Sequence, residues 1–183
     1  MKYTIDIKGL KRDLPLCPIS GELNIGAFIL FGDVELTEHC AKELYKLAPE
    51  HDVMLTAESK GIPLIHAMCR ISGKNRYVLA RKSVKLYMKD VVACEVQSIT
   101  TSARQTLYID GADAEYMKGK RVLIVDDVIS TGGSLASLEN LVTQSGGKIV
   151  GKMTILAEGD AIGRKDITYL APLPLFDKNG NPI

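Results

Sequence analysis

The chain has 183 residues, 46% hydrophobic and 25% charged, an ordinary balance for one globular domain with a sizeable core. Its formal net charge is +1, so no long-range field favours nucleic acid or an anionic membrane, and its apolar runs fall far short of a membrane span. The opening MKYTIDIKGLKRDL lacks the apolar core of a secretion signal, and Cys17, Cys40, Cys69 and Cys94 lie scattered without a C-x-x-C pair, so buried free thiols in a reducing cytoplasm are expected.

Residues 3–7 alternate and predict a short strand. The segment 14–31 is apolar, but Pro15, Pro18, Gly21 and Gly26 break it and no period survives; it reads either as a cap over a ligand or as a long packed loop. Glu35–Leu47 predicts an amphipathic helix with Leu36, Cys40, Leu44 and Leu47 on one face, and His39 and His51 are expected at the surface. Asp52–Thr56 predicts a buried strand that breaks at Ala57-Glu58-Ser59-Lys60-Gly61-Ile62-Pro63, before a helix over 64–71 that packs His66 and Cys69. A Gly-containing turn at a helix start offers free backbone amides and the positive end of the helix dipole, which together suit an anion.

Tyr77–Ala80 predicts a third strand, ending in Arg81-Lys82-Ser83-Val84-Lys85-Leu86. Three cations in five residues usually mark a solvated turn; beside an anion turn at a neighbouring strand end, phosphate binding is the favoured reading. Residues 87–111 alternate without a helical period and predict an antiparallel hairpin with a polar tip over 97–105, followed by a short helix over 112–117.

The most informative stretch is 121–135, RVLIVDDVISTGGSL. Val122–Val125 is an unbroken apolar run, the mark of a strand buried on both faces of a parallel sheet, and the strand is expected to end there. Asp126 and Asp127 follow, then Ser130, Thr131, Gly132, Gly133 and Ser134, then a helix through Val142 that stops at Gly146-Gly147. The Gly turn suits a phosphate. The two acids repel phosphate but accept hydrogen bonds from neutral vicinal hydroxyls, so the combination describes a sugar-phosphate site. Beyond it, Lys148–Ala157 predicts a strand, Glu158–Arg164 a polar turn, Ile167–Leu170 a last strand, and the Pro-containing tail is expected to be irregular.

VLIVDDVISTGGS resembles, over all thirteen residues, the phosphoribosyl pyrophosphate signature of the type I phosphoribosyltransferases. A nucleotide hydrolase with a similar strand needs a G-x-x-x-x-G-K-[ST] loop, which this chain lacks. The resemblance implies a single α/β domain over 1–183: a mostly parallel sheet with helices on both faces, an antiparallel lid hairpin at 87–111, and a small hood from about 14–31 and 158–176. It implies that Asp126 and Asp127 hold the ribose hydroxyls and that Ser130, Thr131, Gly132, Gly133 and Ser134 hold the 5-phosphate. Glu58-Ser59-Lys60-Gly61 resembles the pyrophosphate loop of purine enzymes. The run Arg81, Lys82, Lys85 and Leu86 resembles a basic element of adenine enzymes, which reaches pyrophosphate partly from the other subunit of a dimer. Asp127, Lys82 and Arg81 are the catalytic candidates, and Mg²⁺ is expected to be held mainly through the donor, with Asp126 and Asp127 nearby. Ile162 aligns with the residue that stacks on the purine, or else is a small satellite of the core; Phe28 or Phe31 and Glu158 complete the expected base site. A cytoplasmic homodimer acting on small molecules, without nucleic-acid or membrane partners, follows.

The base is less constrained. Hypoxanthine–guanine enzymes carry an aspartate where this chain has Ser130, and adenine enzymes carry a lid glutamate where it has Ser98-Ile99-Thr100-Thr101. The lid tip is nearer to xanthine enzymes and purine repressors, while the Glu58, Arg81–Leu86 and Gly132-Gly133-Ser134 elements are nearer to adenine enzymes. Adenine is expected ahead of xanthine or guanine. A non-catalytic purine regulator is the alternative, but about fifty residues precede the first pyrophosphate-loop strand, and they show no helix-turn-helix pattern.

Overall fold

The computed structural model describes the backbone of residues 1–97 and 104–183 and the side chains outside 96–105; the tip of the expected lid, 98–103, lies outside the described residues. In chain order the first elements are β1 (Lys2–Ile7), β2 (Leu10–Pro18), β3 (Leu23–Gly26), α1 (Val34–Leu47), β4 (Val53–Ala57), α2 (Gly61–Ser72) and β5 (Val78–Ala80). Then follow β6 (Val92–Gln97), β7 (Arg104–Ile109), α3 (Gly111–Met117), β8 (Arg121–Ile129), α4 (Gly133–Gln144), β9 (Lys148–Glu158), a 3₁₀ turn (Gly159–Ala161), β10 (Thr168–Leu173) and β11 (Phe176–Asp177).

Five parallel strands form the central sheet in the order β10-β9-β8-β4-β5. From β4 the chain passes through α2 outward to β5; from β8 it passes through α4 to β9, in the opposite direction. Right-handed crossovers in opposite directions put their helices on opposite faces and open a crevice between the two strands where the direction reverses. That crevice lies at the carboxyl ends of β4 and β8. Helices cover both faces, as expected. On one face Leu123 and Val125 pack with Leu36, Leu44, Leu64 and Met68 of α1 and α2; on the other Val122 and Ile124 pack with Leu138 and Leu141 of α4 and Leu107 of β7. The apolar run of β8 therefore still alternates between two cores. The expected hairpin forms from β6 and β7, paired from Val92↔Ile109 to Gln97↔Arg104, and joins the sheet edge through an Arg81↔Tyr108 bridge.

Several expectations need correction. β8 does not stop at Val125 but runs through the acid pair to Ile129, because the eleven-residue β9 goes on supplying partners: Asp126 faces Thr154 and Ile129 faces Ala157. The helix α2 starts at Gly61, directly from the anion turn, with Cys69 buried but His66 exposed. His51 is buried, its Nδ1 2.7 Å from the Pro49 carbonyl and its ring edge-on to Tyr45. Three of the four free thiols are buried; Cys17 is half-buried.

The hood differs most. It is a four-stranded antiparallel sheet, β1-β2-β3-β11, so it begins at Lys2 rather than Leu14, and β10 belongs to the central sheet. β2 pairs with β1 as far as Pro15 and with β3 from Leu16 onward, so each half has a free edge and its prolines are tolerated. The tail is ordered: Phe176 is fully buried against the Tyr3 ring, centroids 4.8 Å apart, and Asn24 Nδ2 donates to the Asp177 carbonyl at 2.7 Å. Arg12 ties the hood to the start of α1 through Asp33 and Glu35, both at 2.7 Å. Among the described residues no helix is long and apolar enough to cross a membrane.

Phe176→Ala empties the hood core and is expected to cost about 3–5 kcal/mol in urea unfolding, the usual range for a buried phenylalanine. A loss below about 1 kcal/mol would mean that the hood adds little to the folded core.

Candidate active site

The longer β8 decides where its side chains point. With period two, Asp126, Val128 and Ser130 share one face while Asp127 and Ile129 share the other. Asp126 is half-buried, and its Oδ1 accepts from the Asp127 backbone N–H at 2.9 Å. Asp127 is only 5% exposed; its Oδ2 is buried without a hydrogen-bond partner and lies 3.7 Å from the Lys60 ammonium. Burial first, and then the neighbouring charge of Asp127, push the Asp126 carboxyl well above the usual aspartate range.

After β8 the chain turns through Ser130 and Thr131 to Gly132, whose φ of +83° is a conformation glycine adopts without strain, and α4 begins at Gly133. Asp126, Val128–Ile129 and the turn through Leu135 enclose a cavity of about 130 Å³ at the helix N-terminus. The space is several times the roughly 30 Å³ of one water molecule, and the helix start aims its unpaired amides there.

Across the crevice the second anion turn, with a cis Glu58–Ser59 peptide, leads into α2. A Cβ at Gly61 would stand 2.2 Å from Thr56 Oγ1 and 3.3 Å from Asp126 Oδ1, so only glycine lets this turn close on both strand ends. Glu58 faces away from an anion role. Its carboxylate accepts from the Lys82 backbone N–H at 3.0 Å and pairs with Arg81 Nε at 3.3 Å, and these contacts hold it below the usual glutamate range. Arg81 exchanges both backbone hydrogen bonds with Tyr108 and donates to the Tyr87 hydroxyl at 3.2 Å. Lys82 is exposed; Lys85 Nζ donates to Ser83 Oγ at 2.7 Å.

A second cleft, of about 450 Å³, lies between the hood and the sheet. Hood residues 25–29 and Phe31 form one wall, and Ser59, Lys60, Val128 and Glu158 the other. Phe28, Phe31 and Glu158 thus meet around one space. Ile162 does not join them: it is 41% exposed, beyond the 3₁₀ turn, and is not among the residues lining this cleft. Glu158 is 9% exposed, and burial raises its carboxyl above the usual range, against a hydrogen bond with Ser130 and the attraction of Lys60. Sequence reasoning missed Val128, Ile25 and Ile29; the parity of Val128 with Asp126 was the available signal, hidden by ending the strand too early.

An open parallel sheet with two glycine-containing strand–helix turns facing each other at its switch point, under an antiparallel hood, defines an α/β protein of the kind that binds ligands at that crevice. A family profile, the phosphoribosyl transferase domain, matches residues 34–172. The chain is 30% identical to an adenine phosphoribosyltransferase of Petrotoga mobilis over 171 residues, 92% of this chain and 90% of that one. It is 31% identical to a hypoxanthine/guanine phosphoribosyltransferase of Methanococcus maripaludis over 159 residues, 82% of each chain. The crystal structure of an adenine phosphoribosyltransferase from Thermoanaerobacter pseudethanolicus shares the fold, with a TM-score of 0.67 at 22% identity over 94% of this chain and 95% of that one. The chain belongs to the phosphoribosyltransferase family, with the type I fold.

The burial of Asp126 has a measurable sign. Because its folded value is raised, the stability it contributes is full below the ordinary aspartate range and is lost as pH rises toward the folded value. Asp126→Asn keeps the shape and never ionises. In chelator-treated buffer it is expected to match the unaltered chain at about pH 4 and to melt a few degrees higher at about pH 8, followed by circular dichroism. A lower melting temperature at the higher pH would contradict the burial account.

Proposed function

We propose that the chain transfers a ribosyl 5-phosphate from phosphoribosyl pyrophosphate to a purine base, adenine foremost, releasing the nucleoside monophosphate and pyrophosphate. One observation carries the reading: an acid pair and a phosphate-sized turn on one strand–helix junction face Lys60 of a second anion turn across the crevice. In this reading Asp126 and Asp127 accept from the ribose hydroxyls, and Ser130, Thr131, Gly132, Gly133 and Ser134 seat the 5-phosphate. Ser59, Lys60 and Gly61 receive the pyrophosphate with Arg81, Lys82 and Lys85. Glu58 serves them by holding Arg81 and the Lys82 backbone in place rather than by touching the anion.

As the C1–O bond lengthens, positive charge grows on the ribose and negative charge on the leaving group. Asp127 stands near the sugar, and Arg81 and Lys82 near the pyrophosphate, where those charges develop. Among the described residues no group of three or more His, Cys, Asp or Glu side chains forms a metal cage. The bare Asp127 Oδ2 and its neighbour Asp126 fit a Mg²⁺ held mainly through donor oxygens. When bound, the ion offsets charge on the pyrophosphate. The base enters the 450 Å³ cleft between Phe28 or Phe31 and Val128. The hairpin closes over the centre and keeps out water that would hydrolyse the donor.

A homodimer is part of the reading. Val84, Leu86 and Tyr87 stand 52%, 109% and 67% exposed beside the basic segment, an apolar patch suited to cover by a second copy. Free thiols suit a reducing cytoplasm. Relatives named for hypoxanthine and guanine keep those bases, with xanthine, as the second reading.

Replacing both acids, Asp126→Asn with Asp127→Asn, is expected to weaken donor binding by about 2–4 kcal/mol, since each charge-assisted hydrogen bond is worth about 1.5–3 kcal/mol and neighbours rarely add fully. Free pyrophosphate, titrated in the same calorimeter, is expected to bind almost unchanged. Equal losses for both ligands would contradict the ribose role.

A further inference from the structure

The base site contains a carboxyl group with no assigned task. Glu158 ends β9 where the strand reaches the cleft, and with Lys60 it is one of two charged residues among those lining a space walled mainly by apolar hood residues. A carboxyl group buried in such a wall needs a reason, because burial disfavours its charge. The transfer reaction supplies one. A purine that attacks C1 through a ring nitrogen must lose the hydrogen that nitrogen carries. The lid tip, residues 98–104, contains no Asp or Glu, so a proton acceptor there is missing.

We propose that Glu158 takes the proton from the purine ring as the C1–N bond forms, a role that rests on the transferase reading above. The balance is complete. The ring N–H bond breaks and leaves its electron pair on the nitrogen, whose lone pair closes on C1; the C1–O bond breaks with its pair departing on pyrophosphate; and the proton resides on the Glu158 carboxylate until water removes it.

The surroundings suit an acceptor near neutrality. Ser130, in the turn after β8, and the positive charge of Lys60 both favour the charged carboxylate and so lower a value that burial raises. Lys60 is itself shared with Asp127. The hood wall over residues 25–31 contains no titratable side chain, and Asp160 follows two residues on, in the 3₁₀ turn. Glu95, exposed on β6, is the competing acceptor on the hairpin.

The test is the pH dependence of kcat with adenine, the donor and Mg²⁺, for the unaltered chain, Glu158→Gln, Ser130→Ala and Glu95→Gln. Donor affinity is measured calorimetrically on each. The unaltered chain is expected to lose activity on the acid side with unit slope, above the ordinary glutamate range. Glu158→Gln is expected to lower kcat at least about a hundredfold, as for other general bases, to abolish that acid limb and to leave donor affinity within about twofold. Ser130→Ala is expected to move the limb to higher pH, since it removes a hydrogen bond that favours the carboxylate. An acid limb that survives in Glu158→Gln, one that vanishes in Glu95→Gln instead, or one unmoved in Ser130→Ala overturns the assignment. Donor affinity falling in step with kcat in Glu158→Gln means a structural role and overturns it as well. A chain that binds donor and transfers to no base overturns the transferase reading itself.

Discussion

The crevice depends on one close approach. Gly61 begins α2 hard against the end of β4 and against Asp126 of β8, and a Cβ there would meet Thr56 Oγ1 at 2.2 Å. Because glycine fits, two strand ends and two helix N-termini converge around one small space. Lys60, the residue before it, then stands 3.7 Å from Asp127 on the opposite side. The remaining catalytic candidates hang from this contact: Glu58, just before it, pairs with Arg81, and Ser59 and Lys60 line the cleft under the hood.

Electrostatics sets the character of the space. Burial, and then repulsion from the adjacent Asp127 carboxylate, hold the Asp126 proton above the usual range. In the proposed reading, a ligand that offers neutral hydroxyls to the acids and a phosphate to the turn relieves the arrangement; a bare phosphate does not. On the other bank Glu58 neutralises part of Arg81 and keeps it in position. The proposed reading fits this charge pattern, with sugar, phosphate and pyrophosphate each assigned to a different group of residues.

What was legible in the sequence was local. The stretch from Val122 to Ser134 encodes strand, acids, turn and helix start in order, and the 58–61 turn and the basic 81–85 segment repeat that logic. The hidden parts depend on distant pairing. β11 finds β3 about 150 residues away, and β2 divides its partners at Pro15, so neither leaves a clean alternation. Val128 has no place in a strand that ends at Val125, whereas pairing with β9 carries β8 to Ile129. Ile162 was aligned by its neighbours in sequence, while the lining of the cleft is decided by the short turn that carries it away from Glu158. His51 is buried with its Nδ1 2.7 Å from the Pro49 carbonyl, a contact which no side-chain pattern announces.

If the proposed reading holds, this crevice performs transfer and does not merely bind the donor. Incubating the chain with phosphoribosyl pyrophosphate, Mg²⁺ and radiolabelled adenine, guanine, hypoxanthine or xanthine, and separating the products, tests it directly. Labelled adenosine monophosphate is expected with an equal amount of pyrophosphate, formed faster than the product of any other base. Tight donor binding with no labelled nucleotide from any base would contradict it and leave a purine-responsive regulator.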